Sequence, residues 1–335
     1  MSTLVVEVLG TAVGIAAPAP VLPQLRASLA DLEPAPRADR ELALTPGGNG
    51  LDLLDSGWVV RRGIDPGLGT ATVVWRLNAI AAESMVHVLL HGACVAGPRG
   101  GGVLLVGGSG AGKSTLTAAC VGAGLAYVSD EVAAIDPRTG LVAPYARPLG
   151  LDCERLVPAS SLGPVATSAA MPVALVFPRY EPAADTKVVR LDPSWALAAL
   201  ASHATNLAVL GGTALAWLVG LALTCPAYQL THGDGGQVAA TIAGAADRAG
   251  RPVEPAAVLP AITADTTTLA VGDSLAVLHE PSGRIHVLNP AAADVWRRAA
   301  IDSSAGGRPD GSAAAAAATI DHLTLCGLLA APADP

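Results

Sequence analysis

The sequence predicts a two-part α/β protein, and three observations carry that expectation. Residues 107–114 read Gly-Gly-Ser-Gly-Ala-Gly-Lys-Ser, set between the apolar run Val103-Leu104-Leu105-Val106 and a helix-forming stretch that begins Thr115-Leu116-Thr117. A pair of acids, Asp130-Glu131, closes the next apolar run, 17 and 18 residues after Lys113. A proline-bearing stretch with Pro252, Pro255 and Pro260 precedes a C-terminal pattern of β-like runs and a capped helix. The expected division is 1–246, an α/β domain built on the glycine-rich loop with a strand-rich N-terminal region; 247–268, a linker; and 269–331, a small helix-and-hairpin unit.

The chain has 335 residues, enough for two domains. Hydrophobic residues make up 51% and charged residues 14%, so a large core can be buried. Net charge is −8 with no basic run, which argues against nucleic acid as the main partner. The five cysteines (Cys94, Cys120, Cys153, Cys225, Cys326) are odd in number and widely spaced, without a C-x-x-C pair. They suggest neither a zinc site nor a disulfide framework, but buried free thiols in a reducing, cytoplasmic setting. The apolar N-terminus does not read as a signal peptide: Glu7 comes early, no Lys or Arg precedes it, and Pro18, Pro20 and Pro23 interrupt it. Residues 207–230 carry no charge, yet Gly211-Gly212 and Pro226 confine the helical part to about Thr213–Thr224. That is too short to span a bilayer, so a buried helix and no membrane span are expected.

Taken in order, residues 3–9 read as a strand and 21–32 as a short helix with Leu22, Leu25, Leu29 and Leu32 on one face. Residues 35–50 are polar with Pro and Gly and read as a loop. Residues 51–62 and 71–77 read as a hairpin-like pair of strands around Pro66-Gly67 and Gly69, and 78–90 as a helix. Strands follow at 93–96 and 102–106, a helix after Lys113, and a strand over 125–135. Residues 144–148 read as a loop, 173–177 as a strand, and Pro178-Arg179-Tyr180-Glu181-Pro182 as a turn away from it. Helices at 193–203 and 213–224 lead to a strand at 227–231.

The loop fits G-x-x-x-x-G-K-[ST] in the strand–loop–helix context that a phosphate-binding loop requires. Glycines let backbone N–H groups turn toward phosphate oxygens, and the helix N-terminus adds the positive end of its dipole. Gly107, Gly108, Ser109, Gly110, Ala111, Gly112, Lys113, Ser114 and Thr115 are the expected nucleotide-binding residues. Lys113 would reach the β- and γ-phosphates of ATP, and the Ser114 hydroxyl would hold Mg²⁺. An acid at Asp130 or Glu131 can anchor Mg²⁺ or accept the proton of an attacking hydroxyl. Adjacent residues on a strand point to opposite faces, so only one acid aims into the site unless the strand ends there. The early position of the acids, one helix after the loop, differs from transporter ATPases. Their acidic strand lies far downstream, behind an L-S-G-G-Q signature; here Gly233-Asp234-Gly235-Gly236-Gln237 is only a partial echo.

His91-Gly92-Ala93, then Gly107 to Ser114, then Ser129-Asp130-Glu131 with Ile135, resembles the HPr kinase/phosphorylase family. The resemblance covers residues 85–155 well and the rest of 1–245 loosely. It implies a P-loop kinase fold of the HPr kinase/PEP carboxykinase type. By the match Asp130 falls on the acid that serves as base toward the substrate hydroxyl. Glu131 falls on the second acid, which helps hold Mg²⁺ with Ser114, and His91 on a histidine near the transferred phosphate. Glu131 stands where the family typically has Asp. Arg147-Pro148-Leu149 resembles an Arg-Pro segment of shorter relatives; Arg147 can stabilise transition-state charge or sit at the surface, and Arg179 is a weaker candidate of the same kind. The longer segment used for phosphorylase activity has no match.

Farther on, 271–279 reads as a strand, Pro281-Ser282-Gly283 as a turn, 284–288 as its partner, and Asn289-Pro290 as the cap and first turn of a helix bearing Ala293, Val295 and Trp296. An Ala run at 313–318 and a closing segment, 320–329, follow. This order resembles the PqqD-like peptide-recognition domain. That likeness implies a small winged-helix fold that captures a leader peptide along its hairpin edge; a plain packing or oligomerisation appendage is the alternative. The combined expectation is an ATP- and Mg²⁺-dependent kinase of a Ser or Thr hydroxyl on a peptide or small protein, the C-terminal unit raising its local concentration. The alternatives are a small-molecule kinase and a non-catalytic, nucleotide-gated adaptor that delivers a peptide. The resemblance is compatible with a homo-oligomer.

Overall fold

The computed structural model describes residues 2–83, 85–151, 156–233, 235–259, 265–304, 319 and 323, a mixed α/β chain with several sheets. The first sheet begins with the hairpin β1 (Ser2–Val8) and β2 (Thr11–Ala17). Helix α1 (Leu22–Ser28) crosses to β3 (Arg40–Gly47), parallel to β2; β4 (Gly50–Asp55) and β5 (Trp58–Ile64) follow antiparallel in the order β1-β2-β3-β4-β5. Its inner face, with Val13, Ile15, Leu42, Leu44 and Leu53, packs on α1 and on α2 (Gly69–Ala82).

Several expectations differ here. Residues 40–47, read as loop, form β3, because Leu42 and Leu44 alternate into the core between the less buried Glu41, Ala43 and Thr45. The single strand expected at 51–62 is two, turned at Ser56-Gly57, where both φ values are positive. Residues 71–77, rich in β-branched side chains, form helix rather than strand. Asp65 Oδ1 accepts the Gly67 N–H at 2.8 Å and starts a tight turn that runs into α2. Val73, Leu77 and Ile80 then share one buried helical face, so packing overrides propensity. The helix expected to reach 90 stops at Ala82, and Val88 begins a strand.

The central sheet runs in the order β10-β9-β6-β7-β13-β15-β14, with β8 pairing β6 beside β9. Its strands are β6 (Val88–Ala96), β7 (Gly101–Val106), β8 (Ala126–Ser129), β9 (Val132–Ile135), β10 (Val142–Ala143), β13 (Met171–Tyr180), β14 (Lys187–Leu191) and β15 (Ala227–His232). A small pair, β11 (Leu149–Gly150) and β12 (Leu156–Val157), stands apart. Strands β7, β13 and β15 are mutually parallel; β6 is antiparallel to both β7 and β8, so β8 points the same way as β7. Helices α3 (Lys113–Gly122) and α6 (Gly235–Ala246) cover one face with Leu116, Cys120, Val238 and Ile242. Helices α4 (Pro193–His203) and α5 (Leu207–Thr224) cover the other with Leu197, Leu200, Leu215 and Leu218. β2, β14 and α6 had no counterpart in the sequence reading. By length and composition α5 could cross a membrane. It bends at Gly211 (φ 50°), and Ala214 to Ala222 are buried against the sheet. Cys94, Cys120 and Cys225 are buried free thiols, and burial pushes Cys120 and Cys225 up to about 12; Cys153 and Cys326 lie outside the described residues.

The stretch read as a linker packs along α5: Val253 is buried, and the Ala256 N–H donates to Ala216 O at 2.9 Å. It also holds β16 (Val258–Leu259) and the start of β17 (Thr266–Val271), which with β18 (Ser274–His279) and β19 (Arg284–Leu288) form an antiparallel sheet. Of the strand expected over 271–279, residues 274–279 form β18, whereas Val271 ends β17 and Gly272 (φ 60°) and Asp273 turn between the two. Helix α7 (Pro290–Ser304) starts as expected, with Asn289 Oδ1 accepting the Ala292 N–H at 2.9 Å. Leu275, Val277 and the fully buried Trp296 form the α7 side of this sheet, while Leu269, Val271, Ala276 and Leu278 join the core around α5. The Ala run 313–318 lies outside the described residues, as does segment 320–329 except Leu323.

Candidate functional site

Four segments meet at the carboxyl ends of parallel strands, where open α/β sheets hold ligands. The Gly107–Gly112 loop follows β7, Asp130 follows β8, Tyr180 ends β13 and His232 ends β15. Gly110 (φ 79°) and Gly112 (φ 89°) give the loop left-handed turns that side chains resist. At Gly112 a Cβ would lie 3.0 Å from Nε2 of His232, so the close approach also requires glycine. Lys113 opens α3. Its Nζ donates to Gly107 O at 2.8 Å and Gly108 O at 2.9 Å, and lies 3.2 Å from His91 Nε2. Burial lowers the Lys113 pKa, and Glu131 and Asp130 oppose that shift.

His91 is placed by β6, and the glycine after it is required by packing: a Cβ on Gly92 would fall 2.8 Å from Leu105 O of β7. His91 Nδ1 lies 3.2 Å from Glu131 O and 3.6 Å from Glu131 Oε2. The run expected as one strand over 125–135 breaks between β8 and β9 at these acids, and Glu131 takes φ 65°, a conformation non-glycine residues rarely adopt. The break lets the two carboxylates diverge. Asp130 is fully buried, and neither of its oxygens has a hydrogen-bond partner. Burial, with the Glu131 charge, pushes its carboxyl above the usual range; Arg147 pulls the other way, as do the Ser114 hydroxyl and the Glu131 backbone N–H, which approach without reaching hydrogen-bond geometry. Glu131 is partly exposed and faces the cleft.

The cleft holds about 620 Å³, within the range of about 300–1,000 Å³ usual for small-molecule sites. Ser109, Gly110, Gly112, Lys113, Ser114 and Thr115 line one wall, and Glu131, Gly150, Tyr180, His232 and Gly233 complete it. Of the other expected loop residues, Gly107 and Gly108 turn their carbonyls to Lys113, and the Ala111 N–H donates to Gly108 O at 3.3 Å. Arg147 is buried rather than at the surface: its Nε donates to Pro148 O at 3.0 Å, its carbonyl accepts the Tyr127 hydroxyl at 2.8 Å, and it does not line the cleft. Arg179 is exposed, paired with Glu181 at 2.8 Å, and does not line the cleft.

Tyr180, His232 and Gly233 escaped the sequence reading. Residues 178–180, expected as a turn, continue β13 through Tyr180, and the strand expected over 227–231 runs one residue further to His232; the signal available was the nearness of these strand ends to the loop strand. His203, at the end of α4, also escaped it; its ring lies 6.4 Å from that of His91, and burial, then His91 and Lys113, lower its pKa.

Mg²⁺ takes oxygen ligands and is commonly held by one or two carboxylates together with substrate phosphates; among the described residues no three His, Cys, Asp or Glu side chains gather as a metal site. Asp130 offers two unpartnered buried oxygens beside Ser114, and Glu131 a second carboxylate at the cleft. Compared with known protein families, the chain matches no family model, and no curated protein matches it.

Proposed function

We propose that this chain is an ATP-dependent kinase that transfers a phosphoryl group to a Ser or Thr hydroxyl of a peptide or small protein, on a P-loop kinase fold. The observation that carries the reading is the buried, unpartnered carboxylate of Asp130 beside Ser114, behind the cleft wall that Lys113 and Ser114 line. An acid stripped of partners is costly in a folded protein unless something else uses it. Lys113 would leave the Gly107 and Gly108 carbonyls for the phosphates, where its charge offsets that of the triphosphate. Mg²⁺ held by Ser114 and the acids would neutralise charge developing on the phosphates. A carboxyl with a raised pKa is a better proton acceptor near neutral pH, which suits Asp130 as base. Arg147, buried within electrostatic reach of Asp130, would set its charge rather than touch the phosphate.

One observation favours a second division of labour between the acids. Asp130 is sealed from the cleft while Glu131 lines it. In that reading Asp130 and Ser114 hold the metal, and Glu131 meets the hydroxyl. Asp130→Asn then raises the Mg²⁺ concentration needed for half-maximal rate, whereas loss of a base lowers kcat at saturating Mg²⁺.

The hairpin β18–β19 followed by α7 follows the order of the peptide-recognition resemblance, and a leader peptide held there would raise the acceptor's effective concentration. The test is ADP formation by the full chain with Mg·ATP and a panel of Ser- and Thr-containing peptides. Turnover that requires a hydroxyl-bearing peptide supports the proposal. Peptide binding with no ADP formed supports the adaptor instead, and turnover with free small alcohols supports a small-molecule kinase.

A further inference from the structure

Resting on the reading of the Gly107–Gly112 loop as a triphosphate site, we propose that Tyr180 and His232 form its nucleoside subsite. The Tyr180 ring stacks on a purine base, and the His232 imidazole hydrogen-bonds the nucleoside. The direction of the triphosphate follows from the order of the sheet. The acids and His91 lie on the β6–β8 side of the loop, whereas Tyr180 and His232 lie on the opposite side, at the ends of β13 and β15. A terminal phosphate beside Lys113, Ser114 and Glu131 therefore leaves the nucleoside to extend along the loop toward Tyr180, His232 and Gly233, which line the same cleft.

The two side chains have the properties such a subsite needs. Tyr180 is about half exposed at the cleft, and its ring is 5.7 Å from that of His232. Stacking on an aromatic face is the general way to hold a base without reading its edge. His232 is 1% exposed, lines the cleft and makes no hydrogen bond through either ring nitrogen. Burial lowers its pKa; the Ala111 backbone comes near enough to pull it the other way. A neutral imidazole has one donor and one acceptor nitrogen, which suits a ribose hydroxyl. At Gly112 a Cβ would also lie 3.4 Å from Tyr180 Cβ, so the loop and the subsite are packed as one unit.

The experiment is calorimetric titration of the full chain with Mg·ATP and, separately, Mg·tripolyphosphate, for wild type, Tyr180→Ala, Tyr180→Phe, His232→Asn and Lys113→Ala. Tyr180→Ala is expected to weaken Mg·ATP by about tenfold, the scale of one base–aromatic stack, and to leave Mg·tripolyphosphate unchanged. Tyr180→Phe keeps the stack and binds as wild type does, His232→Asn weakens only Mg·ATP, and Lys113→Ala weakens both ligands. Equal effects of Tyr180→Ala on the two ligands, or none on either, overturn the nucleoside subsite while leaving the triphosphate site intact. Wild-type protein that binds neither ligand overturns the triphosphate site itself and the subsite with it.

Discussion

The three protons of the Lys113 ammonium are matched by three acceptors, and His91 is the third: its Nε2 lies 3.2 Å from Nζ, beside the carbonyls of Gly107 and Gly108. An Nε2 that accepts from an ammonium fixes the imidazole tautomer with its proton on Nδ1, which then faces Glu131 O at 3.2 Å. His91 thereby links the loop lysine to the backbone of the strained acid. His91→Ala leaves a buried donor unmet, at a cost of about 1–3 kcal/mol. A lower melting temperature for His91→Ala, partly restored by His91→Gln, checks this link.

Asp130 makes stability depend on pH in a defined sense. A carboxyl whose folded pKa is raised above the ordinary 3.8 binds its proton more tightly when folded, so it costs stability as pH rises through the folded value. Asp130→Asn should melt higher than wild type at pH 7.5, with the gap closing as pH falls toward 4. The comparison is made by thermal melts without Mg²⁺ or nucleotide. A variant less stable than wild type at neutral pH would contradict the account of that carboxylate.

Glu131 holds a left-handed backbone that Asn or Gly tolerates better than most residues. Glu131→Gly should preserve or raise the melting temperature while lowering phosphoryl transfer. Glu131→Val, β-branched at a positive φ, should destabilise by about 1–3 kcal/mol. Denaturant unfolding of the two variants separates backbone strain from the role of the carboxylate.

The loop was legible in the sequence because its chemistry is contiguous: one strand, six residues and a helix start carry the whole signal. Asp130 and Glu131 were legible from spacing, but not the left-handed break at Glu131 that buries one carboxylate and exposes the other. Tyr180 and His232 reach the cleft from strands separated by two helices, so no local pattern marked them. Residues 71–77 misled because Thr72, Val73 and Val74 favour strand locally, while burial of Val73, Leu77 and Ile80 beneath the first sheet decides for helix. Leu42 and Leu44 were too short an alternation, between Pro36 and Pro46, to announce β3.

The C-terminal sheet is part of the core around α5 through Leu269, Val271, Ala276 and Leu278, all buried. Leu278→Ala should cost about 2–5 kcal/mol. That loss should shift a single transition of the whole chain rather than a separate C-terminal one, as followed by calorimetry. Two resolved transitions, with only one moved, would show that the sheet melts independently.

Phosphoryl transfer itself is tested most directly by intact-mass analysis of a Ser-containing peptide after incubation with the full chain and Mg·ATP, with Asp130→Asn in parallel. The account predicts a gain of about 80 Da, one phosphoryl group, with wild type and none with the variant. A peptide that is bound by wild type yet never gains that mass, or one that gains it equally with Asp130→Asn, would contradict it.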